Sequence, residues 1–484
     1  MKRLSFGLLR CLVVPLVVAV TTCSLGGGSA EAQDAKNQAG ALAPPENATP
    51  TEKAASPATA DNPEAEPESS LGQQYSTPVL IKKNPDIAAA FEKLKNSDRN
   101  AVLEGLKAAV KKNPDLPPAE LLLTRFLIDY GNVGSGMFEL DAAAEAHPQE
   151  AGVYLTLAGL AVAQGRYTDA TQSLEKAEKL LATVPDSNPR KKSMQFIANN
   201  HWASVHGRFE RWPDARKRLE SVIQLEPENA LAHYRLGHVL FKAREGKQGY
   251  VEYQEAYKRN KKLPTPPVAV VMYYRGDNQP ELADKWMAFA EKEYGKDAPT
   301  RLFLGTSQWQ KGNFEEAKRH AQAAAAADPS SAAVLFLQGV LAHYEGDLKT
   351  AEDKLEVAFK AAPSDLQIRD QLAKVLIQNS NPEKRNRALA IAQQSAQIGQ
   401  NNRDLLATLG WILYNSGQTN NALQVLQVVT QGPIGGDSAY FVSRVLVDKK
   451  QEEDARKLLT GSLDNKSLFV HRRDAEKLLK QLKS

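Results

Sequence analysis

Residues 298–329, APTRLFLGTSQWQKGNFEEAKRHAQAAAAADP, and residues 332–363, AAVLFLQGVLAHYEGDLKTAEDKLEVAFKAAP, decide the fold. Aligned without a gap, they share Gly305/Gly339, Gly312/Gly346, Ala317/Ala351, Ala324/Ala358 and Pro329/Pro363, each pair 34 residues apart. A fixed period of this length marks a repeat architecture, in which each unit buries its apolar side only against its neighbours. Within the unit, Leu304 and Gly305 fall in a first helix, and Ala317, Ala321 and Ala324 in a second. The small residues stand where two helix backbones must approach closely. Gly312 suits a helix C-terminus where φ is positive. Pro329 lacks an N–H and disfavours helix at its neighbour, so it sets where the second helix stops.

The layout resembles the tetratricopeptide repeat (TPR) family, whose pattern is a large residue, Leu-Gly, a bulky residue, Ala, an aromatic or Leu, Ala, and Pro. Gly339, Ala342, Gly346, Ala351, Leu355, Ala358 and Pro363 match it, with Gln338 where Leu is usual. Tyr154, Leu157, Gly165, Tyr167, Ala170, Leu174 and Ala177 match upstream, with Ala158 in place of Gly. Leu409, Gly410, Leu413, Gly417, Ala422 and Leu426 match downstream, and Tyr234, Leu236, Gly237 and Leu240 give half of another unit. Degenerate units are read near 83–116, 117–150, 196–227 and 264–297, one at 366–400 with an insertion around Asn381–Arg385, and a last at 436–466. A basic helix, 471–482, follows as a cap. The resemblance implies an all-α, right-handed superhelical solenoid of about ten hairpins. It also implies a protein-interaction scaffold with no shared catalytic residue and no cofactor.

The N-terminus reads differently. Lys2, Arg3 and Arg10 flank an apolar run from Cys11 to Val20, shorter than the ~20 residues that span a bilayer. This is the form of a secretory signal peptide over 1–32. Ala30-Glu31-Ala32 fits cleavage before Gln33, while Val20-Thr21-Thr22-Cys23 resembles a lipoprotein box that would acylate Cys23; both routes stay open. Either way the chain is expected to be exported, to the periplasm or cell envelope, with an outer-membrane lipoprotein as the acylated alternative. Cys11 and Cys23 are the two cysteines, so the remainder offers no disulfide or thiol nucleophile. Residues 33–79, rich in Ala, Pro, Glu, Ser and Thr, cannot bury enough apolar surface to offset ordering and read as a disordered linker. The solenoid is then assigned to 80–484.

The chain has 61 basic against 57 acidic residues, net +4, which does not indicate a nucleic-acid surface. His201/His206 and His233/His238 are five apart, whereas ligands on one helix face want three or four. No phosphate loop, zinc-protease helix or nucleophile elbow occurs. An enzyme is therefore not expected, nor a metal or cofactor.

In the TPR family the first helices line a concave groove. Mapped by that resemblance, the groove positions include Tyr234, His238, Phe241, Lys242, Tyr274, Arg275, Trp309, His343, Tyr344, Trp411, Tyr414 and Asn415. Aromatic rings beside cations suit a peptide-binding surface, since large rigid side chains bury area at low entropy cost. The family's carboxylate clamp does not map, because Asn200 and Lys242 do not stand in the required consecutive repeats. The expectation is an envelope scaffold with a protein or peptide partner. A subunit of an exopolysaccharide assembly or export system is the alternative, suggested by Thr408–Tyr414. An RNA-binding helical-repeat protein comes third.

Overall fold

The computed structural model describes residues 42–45, 71–72, 76–94, 98–464 and 466–482. The expected signal segment with Cys23 lies outside them, as does most of the expected linker. The described residues form twenty-four helices and no strand. Helix α1 (Thr77–Lys83) leads in, three residues before the expected start of the solenoid.

Eleven helix pairs follow. They are α2 (Pro85–Leu94) with α3 (Arg99–Lys112), α4 (Ala119–Asp129) with α5 (Val133–Ala146), α6 (Ala151–Ala163) with α7 (Tyr167–Thr183), and α8 (Lys191–Arg208) with α9 (Trp212–Leu225). Next come α10 (Ala230–Lys242) with α11 (Gly246–Arg259), α12 (Pro266–Gly276) with α13 (Pro280–Tyr294), and α14 (Ala298–Gln310) with α15 (Phe314–Ala327). The last are α16 (Ala332–Glu345) with α17 (Leu348–Ala361), α18 (Leu366–Leu376) with α19 (Pro382–Ile398), α20 (Arg403–Asn415) with α21 (Thr419–Val429), and α22 (Gly436–Asp448) with α23 (Glu452–Leu463). Helix α24 (Arg472–Gln481) ends the series, its Ala475 and Leu478 against Leu459. The chain falls into two compact units, up to Trp286 and from Met287, divided within α13. Each is a stack of hairpins.

The repeated small residues do what their spacing implies. Ala317, Ala324, Ala351, Ala358 and Leu355 are fully buried. A Cβ on Gly339 would stand 2.6 Å from Leu355 Cγ, and one on Gly410 2.5 Å from Leu426 Cδ2. Either is closer than carbon atoms tolerate, so only hydrogen lets the paired helices meet.

The hairpin turns share one device. Gly131, Gly165, Gly312, Gly346 and Gly417 have φ between 72° and 87°, and Glu210, Arg244, Asn278 and Lys450 have positive φ of 55–66° in the same turn position. The next N–H then reaches back over the helix end, Asn313 to the Gln308 carbonyl and Asp347 to the Ala342 carbonyl, both at 2.9 Å. This is the six-to-one bond that satisfies orphan carbonyls. Second helices are often opened by a polar cap, such as Asp347 accepting from Thr350 N–H at 3.0 Å. The turn between α18 and α19, where the sequence carries its insertion, lacks the positive-φ residue; Asn381 instead caps α19 by accepting from Glu383 N–H at 2.8 Å.

Candidate functional site: the first-helix face

Successive first helices touch one another, α6 with α8 in the first unit and α14, α16, α18, α20 and α22 in series in the second, where they form one continuous face. The repeat period governs how their side chains meet. Lys242 pairs with Asp277 at 3.0 Å, 35 residues on. Tyr414 O–H donates to Asp448 at 2.9 Å, 34 residues on, and Arg235 donates to Asn200, 35 residues back, at 2.7 Å. Equivalent positions in neighbouring repeats are therefore partners.

In the first unit the sequence-derived residues gather on α10 and α12. Phe241 and Tyr274 are almost wholly buried. Phe241 lies 4.8 Å from the Tyr273 ring and 5.5 Å from Tyr253, and Tyr234 is 5.1 Å from Tyr253. The rings of Phe241, Tyr253 and Tyr273 thus pack neighbouring hairpins together. His238 stays exposed, edge-on to Tyr273 at 6.0 Å. Arg275 is half-buried; burial lowers its pKa, with Asp284 opposing. Further along this unit a cavity of about 220 Å³ opens across α4, α6 and α8, lined by Leu121, Arg125, Thr156, Ser193 and His201 among others, with Gly72 at its edge. Burial, aided by the charge of Arg235, pushes His201 down to about 4, so it is neutral at pH 7.

In the second unit Trp309, His343, Tyr344, Trp411, Tyr414 and Asn415 lie on α14, α16 and α20, and there the face is already occupied. Residues 466–471 run across it. Leu468 N–H donates to the Trp309 carbonyl at 3.3 Å. A Cβ on Gly312 would collide with the Lys466 carbonyl oxygen at 2.6 Å. The His471 ring stands edge-on to His343 (5.4 Å) and stacked on Tyr440 (5.3 Å). The Arg473 guanidinium sits 4.5 Å above the Tyr344 ring. Trp411 stacks on Phe441 at 5.0 Å, and Asn415 donates to the Trp411 carbonyl in its own helix.

Beneath this segment is a buried polar network absent from the sequence reading. Lys374 Nζ is 2.7 Å from Asp370 and 3.6 Å from Asp437, and Asp437 Oδ1 accepts from the His471 backbone N–H at 2.9 Å and faces His471 Nδ1 at 3.0 Å. Burial alone would raise the Asp437 carboxyl, but Lys374 and His471 outweigh it and hold it well below the usual range. Burial would likewise lower Lys374, yet Asp370 and Asp437 keep it above its ordinary value. His343, with both ring nitrogens on the amides of Gln371 (2.9 Å) and Gln378 (2.7 Å), is pushed down to about 3 by burial and the nearby His471. The signal that could have found the network is the period itself: Asp437 and His471 are 34 apart, His343 and Gln378 35.

Residues 202–262 and 304–365 match the tetratricopeptide repeat family model. The chain carries tetratricopeptide repeats. This all-α fold of stacked hairpins is one that serves protein–protein interaction. No curated protein matches the sequence. Among solved structures, the TPR chain is similar to a thermophilic TPR protein of Thermus thermophilus, at 14% identity over 38% of this chain and 99% of that one, TM-score 0.32. It is also similar to yeast Tom70, at 14% over 82% and 95%, TM-score 0.30, and to pilF of Pseudomonas aeruginosa, at 15% over 53% and 97%, TM-score 0.28. Such likenesses are too loose to bear on function. Among the described residues of the TPR chain, no three His, Cys, Asp or Glu side chains converge on a metal-sized site, and no helix is long and apolar enough to cross a membrane.

Proposed function

We propose that this protein is a non-enzymatic scaffold of the bacterial cell envelope, exported by its N-terminal signal, that holds an extended segment of a protein partner on the first-helix face. The observation carrying this reading is that the face of the second unit already seats an extended stretch, residues 466–471, through a backbone hydrogen bond to Trp309 and ring contacts from His343 and Tyr440. A surface that can hold its own chain in this way has the chemistry to hold another: backbone acceptors and rigid aromatic walls. The expected export supplies the compartment.

Crosslinking in cells followed by mass spectrometry tests both halves, since it reports neighbours and the mature N-terminus together. A defined envelope protein should crosslink to the first-helix face. His238→Ala with Asn415→Ala, both exposed on first helices, should reduce its recovery while the circular dichroism melt is unchanged. Recovery that survives substitution along the whole face refutes groove binding. An intracellular set of neighbours refutes the envelope assignment.

A further inference from the structure

A second seat for an extended peptide lies where α11, α12 and α13 meet in the first unit. It holds residues 42–45, Leu-Ala-Pro-Pro, from far upstream of the first helix. Leu42 N–H donates to Tyr274 Oη at 2.7 Å. The same phenol donates to the Leu42 carbonyl at 3.1 Å, and Trp286 Nε1–H donates to that carbonyl at 2.8 Å. Both backbone groups of one residue are thereby satisfied by two side chains more than 230 positions away. Burial pushes the Tyr274 phenol above its ordinary value, which preserves the proton it donates.

The Cβ of Leu42 is in contact as well as its backbone. Leu42 Cβ lies over Gly246, the first residue of α11, where an added Cβ would come within 3.2 Å of it and 3.4 Å of Phe241. A side chain at Gly246 would crowd the seat from the helix side. Pro44 and Pro45 have no N–H, so the stretch leaving the clamp presents no donor that needs a partner. They also favour the extended backbone that a clamp on one residue's N–H and C=O requires. The upstream chain touches this unit at a second point. The Leu71 carbonyl accepts from Ser193 Oγ at 2.6 Å, Leu71 N–H donates to Glu226, and its side chain packs against Phe196, Val222 and Ala232.

We infer that Tyr274, Trp286 and Gly246 form a clamp for extended apolar-x-Pro-Pro segments, that Leu42–Pro45 is its intramolecular occupant, and that a partner segment of the same chemistry must displace it. The occupant is tied to its second anchor by the 25 residues 46–70. A tether of that size gives an effective concentration on the order of 1 mM, so an incoming peptide with a Kd of about 0.1 mM would be weakened roughly tenfold. The clamp rests on Tyr274, Trp286 and Gly246 of the first unit and the scaffold reading on the Trp309 face of the second, so either can fail while the other stands.

The test is fluorescence anisotropy of a labelled peptide of residues 41–46, Ala-Leu-Ala-Pro-Pro-Glu, against the full chain and against its Leu42→Asp variant. The variant should bind the probe about tenfold more tightly, the tethered competitor having been removed. Adding Tyr274→Phe, which keeps the ring and deletes both phenol bonds, should weaken the probe again, as should Gly246→Val, which fills the seat from the helix side. A probe with Ala in place of both prolines should bind less well. Equal affinity for the full chain and Leu42→Asp, no binding to either, or indifference to Tyr274→Phe and Gly246→Val together overturns the proposal. Should Gly246→Val not fold by circular dichroism, the isosteric Tyr274→Phe decides alone.

Discussion

Replacing Lys374 with Met should be among the most damaging single changes in the second unit, and the geometry gives the scale. The ammonium is 2.7 Å from Asp370 and 3.6 Å from Asp437, and the three side chains are only 7, 13 and 14% exposed. With an effective dielectric near 20, those distances correspond to gross attractions of about 6 and about 5 kcal/mol. Removing three charges from water consumes several kcal/mol per ion, so the intact network contributes little net stability. Loss of one partner is another matter, because the methionine variant would leave two carboxylates buried without a counter-charge, which costs about 3–5 kcal/mol. The triple variant Lys374→Met, Asp370→Asn, Asp437→Asn carries no orphan charge and should lie within about 1 kcal/mol of the parent.

Hydrogen exchange resolved by peptide is the assay, since a chain of two units has no single unfolding free energy. The single variant should lose protection in α18, in α22 and across 466–471, which Asp437 ties down through His471. A loss below about 1 kcal/mol, or a triple variant as unstable as the single one, would refute the account of Lys374 as the counter-charge of a buried network.

Other outcomes follow from the same structure. Glu210→Gly and Lys450→Gly should each stabilise by up to about 1 kcal/mol, because a left-handed non-glycine residue costs about 1–2 and glycine returns about half to one of that in entropy; a lower urea midpoint would contradict this. Gly339→Ala should destabilise by about 1–3 kcal/mol although alanine is the better helix former, since its Cβ would meet Leu355 at 2.6 Å; a gain would show that the helices can part without cost. Leu355→Ala should cost about 2–5 kcal/mol and lower protection mainly in adjacent repeats, whereas an even effect from end to end would deny nearest-neighbour stacking. His343, held to about 3 in the folded state against 6.5 unfolded, binds its proton only on unfolding across that window. Its contribution is therefore complete above pH 6.5 and declines by up to about 1.4 kcal/mol per pH unit as the pH falls toward 3. His343→Gln should flatten that part of the profile, and a slope identical to the parent's would exclude the assignment.

The repeat was legible because backbone approach leaves a mark at single positions: nothing but hydrogen fits at Gly339 opposite Leu355, and the chain repeats that solution 34 residues apart. The turns were half legible. Gly312 announced left-handed backbone and Gly165, Gly346 and Gly417 share its repeat position, but Glu210, Arg244, Asn278 and Lys450 adopt it without the residue that favours it, because the six-to-one bond and the packed hairpin impose it. Of the groove residues, Phe241 lies on the expected helix but is interior, since a first helix must satisfy its neighbours before it can face a partner.

What the pattern of one repeat cannot reveal is the pairing between repeats. Lys374, read singly, is a surface lysine on an amphipathic helix; it becomes a buried counter-charge only because α22 and the 466–471 segment bring Asp437 and His471 to it. Such pairs recur at one period, as in Lys242 with Asp277 and Tyr414 with Asp448. In a stacked array, complementary polar residues about 34 apart are therefore first claimed by each other, and a partner is left with what that accounting leaves exposed. By this criterion exposed His238 is a stronger contact candidate than buried Phe241, though both stood in the same sequence-derived set.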